Sequence, residues 1–219
     1  MTGKFTPVIP RDLRLEVSER IDAGGEVVTA LDEVAVRAAA RSLLNAGCES
    51  VVVHFLHAYA NPTHECRAAK IIGEFWPNDY ITMGHALLSE SREFERGVTA
   101  AVNASVQPLL ESYIRRLVDD LAGKGYDGEV LIMNGNGGMV SSSLVAQEAA
   151  KTVMSGPASG VMAAAYTGRK AGVENLLTYD MGGTSTDVAL ILSAEPAVSS
   201  EIEVEYAMPI HVPMVDVRT

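Results

Sequence analysis

Between Leu176 and Leu192 the chain reads LLTYDMGGTSTDVALIL, and no other stretch restricts its fold so closely. Two apolar runs of strand length flank Gly182-Gly183, the pattern of a β-hairpin folded about a glycine pair. The chemistry gathers at the turn. Asp180 ends the first run, and Thr184, Ser185, Thr186 and Asp187 lead into the second. Glycines lack the Cβ that would keep an anion away from the backbone. Successive turn N–H groups form an anion-binding concavity, to which hydroxyls can also donate. A carboxylate at the strand end, Asp180, suits Mg²⁺, which takes oxygen ligands directly or through water. The stretch reads either as a phosphate-and-magnesium loop between two strands or as a surface hairpin with a Gly-Gly turn.

The remainder supplies ample chain for a core. With 219 residues, 47% hydrophobic and 21% charged, one large or two modest domains are expected. The net charge is −11 and no Lys/Arg block occurs, which argues against a nucleic-acid partner. An acidic chain can still bind a polyphosphate where N–H groups and a divalent cation supply positive potential. Cys48 and Cys66 lack metal spacing and read as reduced thiols. With no signal peptide at the start and no apolar run of membrane-spanning length, the expectation is a soluble cytoplasmic protein without a membrane partner.

Leu13, Leu15 and Val17 alternate with polar residues as in a half-buried strand, and DAGGE at Asp22 to Glu26 is a turn before Val27-Val28. Thr29 to Asp32 has the form of a capping box, opening a helix to about Asn45 that stops at Gly47. Val51 to Phe55 predicts a buried parallel strand. Asn61-Pro62 opens a second helix that ends before Pro77, and Tyr80 to Met83 predicts a strand. This rhythm indicates an α/β layer. His54, His57, His64 and Cys66 lie close in sequence. A zinc site is disfavoured because residues three apart on a strand project to opposite faces, whereas ligands must converge.

An apolar stripe at helical spacing, from Val98 through Val102, Val106, Leu109, Tyr113 and Ile114 to Leu121, predicts the longest helix and a core face. Pro108 predicts a kink or break within it. Arg92, Glu93, Glu95 and Arg96 read as a solvated, mutually paired cluster or as the edge of a cleft. Asn134 to Gly138 (NGNGG) fails the dinucleotide fingerprint, since Val140 stands at the third glycine position. It reads as a tight strand-to-helix loop, with a short helix over Ser141 to Ala150. Ser155 to Gly160 (SGPASG) opens a helix to Gly172, with Ser155 or Gly156 as cap and Pro157 first in the helix. Its free N–H groups either are simply capped or hold an anion. Glu201 to Tyr206 alternates strictly and predicts a third antiparallel strand beside the hairpin.

The segment Asp180 to Val188 resembles the phosphate loop of the hydantoinase A/5-oxoprolinase family. N-methylhydantoinase A and acetone/acetophenone carboxylase subunits are of this kind. RDLRLEVSERI at Arg11 to Ile21, NPTHE at Asn61 to Glu65, REFER at Arg92 to Arg96, NGNGG and SGPASG resemble the same family in the same order. The resemblance implies an α/β, RNase H-like fold, that of the acetate kinase, sugar kinase and actin group, in a partial two-lobe arrangement. Residues 1–88 would be the later part of the first lobe, the family's N-terminal region. Residues 89–219 would hold connecting helices and the start of the second lobe with its phosphate-loop hairpin. Only one loop of the DxGGT type is present where two lobes would carry two, which implies an internal fragment, inactive by itself.

The resemblance further implies ATP and Mg²⁺ as cofactors. The reaction would be hydrolysis of a cyclic amide, hydantoin or 5-oxoproline, after phosphorylation of the amide oxygen. A partner similar to hydantoinase B would complete it. Asp180 would organise the metal, and Asp187 would be a second group near it or a hairpin anchor. Gly182, Gly183, Thr184 and Ser185 would cradle phosphate, with Ser155 and Gly156 at the helix start. Small-ketone carboxylation, or an actin-like nucleotide-binding and assembly module without turnover, are the alternatives.

Overall fold

The computed structural model describes residues 6–205 and 208–218, and it resolves into two compact units. The first unit takes residues up to Leu110 together with Glu203–His211; the second takes Glu111–Ile202 and Val212–Thr219.

The first unit begins with a single 3₁₀ turn, Arg11–Leu13. The strand expected around Leu13 to Val17 does not form: among the described residues no strand pairs with this stretch, and Leu15 is exposed. Pairing starts later, between β1 (Arg20–Ile21) and β2 (Val27–Thr29), which are antiparallel across the Asp22–Glu26 turn. There the Asp22 carboxylate accepts from the N–H groups of Gly24 and Glu26. Helix α1 (Glu33–Asn45) is capped by Asp32, whose carboxylate accepts from Ala35 N–H at 2.9 Å. The expected capping box is therefore displaced, because Thr29 is committed to β2. Gly47 takes a φ of +83°, which ends the helix at little steric cost.

Strand β3 (Val51–Val53) lies parallel to β4 (Ile81–Met83), with α2 (Thr63–Gly73) between them in sequence. Asn61 sets the start of α2 by accepting from the Thr63 N–H and hydroxyl. Val36, Ala40, Val51, Val53, Ala68, Ile71, Ile72 and Trp76 form one apolar cluster, so the apolar faces of both helices close on the strands. Ile71 is wholly buried, which contributes about 1.5–3 kcal/mol.

A short helix α3 (Gly84–Leu87) precedes α4 (Glu93–Gly123), which runs 31 residues through Pro108 without interruption. Its residues belong to the first unit as far as Leu110. The predicted stripe is corrected in two places. Leu109 and Tyr113 are exposed, and the tightest burial falls at Thr99 to Ala104, which includes polar Thr99 and Asn103. Those two are buried because they have partners: Thr99 Oγ1 accepts from His211 N–H, and Asn103 Nδ2 donates to Thr82 Oγ1.

The second unit contains β5 (Leu131–Met133) and β6 (Met139–Ser141), an antiparallel hairpin closed by NGNGG. That loop thus joins two strands, not a strand to a helix, and a 3₁₀ segment, Val145–Thr152, follows. Helix α5 (Ser155–Ala171) leads through Gly172 (φ +73°) into β7 (Leu176–Met181) and β8 (Thr186–Leu192). β8 turns at Ser193-Ala194, both with positive φ, into β9 (Glu195–Pro196). Next comes β10 (Val198–Ser199); β11 (Ile202–Glu205), after its first residue, and β12 (Met208–Ile210) belong to the first unit, and β13 (Met214–Val215) and β14 (Val217–Arg218) belong to the second. β10 pairs with β13, and the strand order of the hairpin sheet is β14-β8-β7. Strand β11 pairs with β12 and not with the hairpin, contrary to the expectation from its alternation; its expected last residue, Tyr206, lies outside the described residues. β14 fills the place beside β8 instead. Ala158, Val161, Ala165, Ala189, Ile191, Val215 and Val217 form the core between α5 and the sheet.

Candidate phosphate-and-metal site

The β7–β8 register places Asp180 directly opposite Asp187, with Met181 opposite Thr186. Directly opposed residues project to the same face with Cβ atoms about 4.5–5.5 Å apart, and like charges so placed repel. Among the described residues no hydrogen bond or ion pair reaches the Asp180 carboxylate. A cation between the two carboxylates would remove the repulsion. Two carboxylates with water and phosphate oxygens making up the rest is the donor set Mg²⁺ favours. No group of three or more His, Cys, Asp or Glu side chains suited to a metal occurs among the described residues.

The turn is Gly182 to Ser185, closed by Gly182 N–H donating to Ser185 C=O at 3.0 Å. All four residues are exposed. A Cβ built on Gly183 would meet nothing within 4 Å, and one on Gly182 would meet only Ser185 O at 3.6 Å. The glycines are thus not required by crowding within the chain. What they provide is approach to the backbone, and Thr184 and Ser185 stand beside that opening.

Helix α5 packs on this hairpin, and its C-terminal end meets the start of β7 where Gly168 abuts Leu176. The turn is at the far end of the hairpin from that contact. The helix begins at Ser155, two residues earlier than its predicted Pro157 start. The residue before it, Met154, sits in the left-handed region (φ 60°) and no side chain caps the helix. Neither Ser155 nor Gly156 acts as cap; both lie in the first turn, where N–H groups have no helical partner. A left-handed methionine is strained.

The NGNGG turn packs in the same unit. Gly135 N–H donates to Lys151 C=O (2.7 Å), and Gly135 C=O accepts from Val215 N–H (2.8 Å). A Cβ on Gly135 would collide with the Val153 carbonyl, and one on Gly137 would lie 2.7 Å from Met162 Sδ on α5. The sequence could show that close backbone approach was required here, but not what approached.

The first unit holds what the sequence underestimated. Arg96 is wholly buried, not solvated: its guanidinium donates to Glu90 C=O and Phe55 C=O and lies 5.7 Å from the Tyr59 ring centre. Arg92 and Glu95 form the exposed pair. The histidines scatter to separate partners, His57 to Ile21 C=O and His64 to Glu19. Burial, then the Arg96 charge, hold His54 below its ordinary basicity. Glu65, wholly buried, accepts from Phe55 N–H, His85 N–H and His85 Nδ1. His85 carried no signal in the sequence, since its partner is 20 residues away. The first unit also contains an apolar cavity of about 590 Å³ beside β3 and α1, lined by Val53, Leu43, Ala40 and Phe94 among others.

No helix among the described residues is long and apolar enough to cross a membrane. The family model described as Hydantoinase/oxoprolinase matches residues 96–219, and that of its N-terminal region matches residues 3–76. The chain is 39% identical over 197 residues to the acetophenone carboxylase gamma subunit of Aromatoleum aromaticum, covering 88% of this chain and 27% of that one. It is 30% identical over 213 residues to the caprolactamase subunit alpha of Pseudomonas jessenii, covering 97% and 30%. A nucleotide-free structure of acetone carboxylase, from work on ATP-dependent acetone carboxylation, superposes with a TM-score of 0.87 at 29% identity, covering 99% of this chain and 31% of that one. The chain thus spans less than a third of the length of these relatives. With one family model matching more than half of its length, the chain belongs to the hydantoinase/oxoprolinase family.

Proposed function

We propose that the chain is part of an ATP-dependent enzyme that hydrolyses cyclic amides of the hydantoin or 5-oxoproline type, with Asp180 to Asp187 as its phosphate and Mg²⁺ loop. The observation that carries this reading is the Asp180–Asp187 pair at the mouth of an open Gly182-Gly183 turn. A resonance-stabilised ring amide resists water. Transfer of a phosphoryl group to its oxygen creates a leaving group and an electrophilic carbon, and such transfers are catalysed chiefly by positioning and charge stabilisation. Asp180 organises Mg²⁺ in this reading, with Asp187 beside it. Gly182, Gly183, Thr184 and Ser185 hold phosphate through N–H and hydroxyl donors. The open N–H groups of Ser155 and Gly156 add a second anion-attracting end. Bound Mg²⁺ supplies charge neutralisation of the phosphates.

The fold in this reading is RNase H-like. Residues 1–88 are the later part of a first lobe, and residues 89–219 contain the start of a second. A hydantoinase B-like subunit is the expected partner. ATP-dependent carboxylation of a small ketone is the second reading, favoured by the 39% identity to an acetophenone carboxylase subunit. Calorimetric titration with Mg-ATP, against Asp180→Ala, tests the loop: binding that the substitution leaves unchanged sinks the assignment. ATP hydrolysis by the complete protein, stimulated by 5-oxoproline or a hydantoin but not by ketone plus bicarbonate, separates the two readings.

A further inference from the structure

Cys66 stands at the end of a chain of three side chains. The Glu65 carboxylate accepts from His85 Nδ1 at 2.6 Å and from His85 N–H at 2.9 Å. Its other oxygen accepts from Phe55 N–H at 2.9 Å. Glu65 is wholly buried and fixed by these three donors. A carboxylate on Nδ1 places the imidazole proton there, which leaves Nε2 as an acceptor. Nε2 lies 3.7 Å from Cys66 Sγ, within hydrogen-bonding distance for sulfur. The order is therefore nucleophile, base and orienting carboxylate, the arrangement by which enzymes activate a thiol. Cys66 lies near the start of α2. It is also exposed, whereas Cys48 is half-buried and packs against the core.

We propose that Cys66 is a covalent modification site, its thiol activated by His85 and Glu65 for attack on soft carbon electrophiles. With a haloacetamide, sulfur forms a C–S bond as the carbon–halogen bond breaks. The halide leaves with the bonding pair. The thiol proton passes to His85 Nε2, and the resulting imidazolium is held by Glu65. Cys66 belongs to the first unit and the Asp180 loop to the second, and the proposal does not depend on the function proposed for that loop.

Iodoacetamide at neutral pH, followed by peptide mass spectrometry at each cysteine, tests the proposal on the intact chain. Cys66 is expected to react about tenfold faster than N-acetylcysteine, because His85 Nε2 stands in place to take the thiol proton as the C–S bond forms. His85→Asn is expected to return Cys66 to the rate of the free thiol while the Cys48 rate stays constant. A native Cys66 rate equal to that of N-acetylcysteine overturns the proposal, as does an acceleration that survives His85→Asn. Should His85→Asn unfold the chain, seen as a rise in the Cys48 rate, the unsubstituted chain in urea decides. The Cys66 acceleration must then vanish on unfolding, because only the fold brings His85 to it; an unchanged rate overturns the proposal.

Discussion

Ser50 Oγ donates a 3.1 Å hydrogen bond to the backbone carbonyl of Ala104. Ala104 is the residue four before Pro108, and proline has no N–H to offer it. The hydroxyl supplies the donor that the helix lacks, which accounts for α4 continuing through its proline. Ser50→Ala should cost about 1 kcal/mol, the net worth of one such bond. The loss should shrink in a Pro108→Ala background, where the helix satisfies its own carbonyl. A double-mutant cycle of urea unfolding measures this coupling.

Asp180→Asn should act on stability with opposite signs in the absence and presence of magnesium. Without metal, Asp180→Asn removes a cross-strand repulsion and should stabilise the chain by about 0.2–1 kcal/mol. With millimolar Mg²⁺ the unsubstituted chain should gain stability while the variant does not. Thermal melts with and without Mg²⁺ read both effects. A variant that gains as much from Mg²⁺ as the unsubstituted chain would falsify the metal assignment.

Two glycines of α5 should diverge. A Cβ on Gly168 would lie 2.5 Å from Leu176 Cδ1 and 2.7 Å from the Val173 carbonyl. Alanine's helix preference is worth about 1 kcal/mol. Overpacking costs about 1–3 kcal/mol. It should win here, because Val173 is itself tied to Gly168 by a 2.9 Å backbone bond and cannot retreat. Gly160 meets nothing within 4 Å, so Gly160→Ala should stabilise. Denaturant midpoints of the two variants check the contrast.

His54 sets a pH dependence. Burial, then the Arg96 charge, lower its proton affinity in the folded chain, with Glu65 and Glu93 partly opposing. The unfolded chain therefore binds the proton more readily, and stability rises with pH where that difference operates. Unfolding free energy should fall as pH drops below the ordinary histidine value of 6.5. His54→Asn should flatten that fall, as measured by urea titrations between pH 5 and 8 at about unit steps.

Arg96 and Glu65 show where sequence reading stopped. Both are charged residues on helices, and composition places such residues at the surface. Both are wholly buried, because backbone carbonyls or N–H groups from residues distant in the chain meet them. The strand expected at Leu13 to Val17 failed for a related reason. Alternation marks a chain that could be half-buried but says nothing of a partner, and none of the described strands lies alongside.

Local chemistry was sufficient for the β7–β8 hairpin, the helices α1, α2, α4 and α5, and the strands β3 and β4. In each case the signal is contained within a few residues: apolar spacing, a capping side chain, a glycine at a turn. The family could likewise be read from ordered motifs along the chain. Tertiary structure alone decided what lies beside what: β14, not β11, next to β8; Ser50 at the Ala104 carbonyl; His85 between Glu65 and Cys66. Those neighbours are chosen by burying apolar faces and by satisfying polar groups across long sequence separations. No window of local sequence contains both partners.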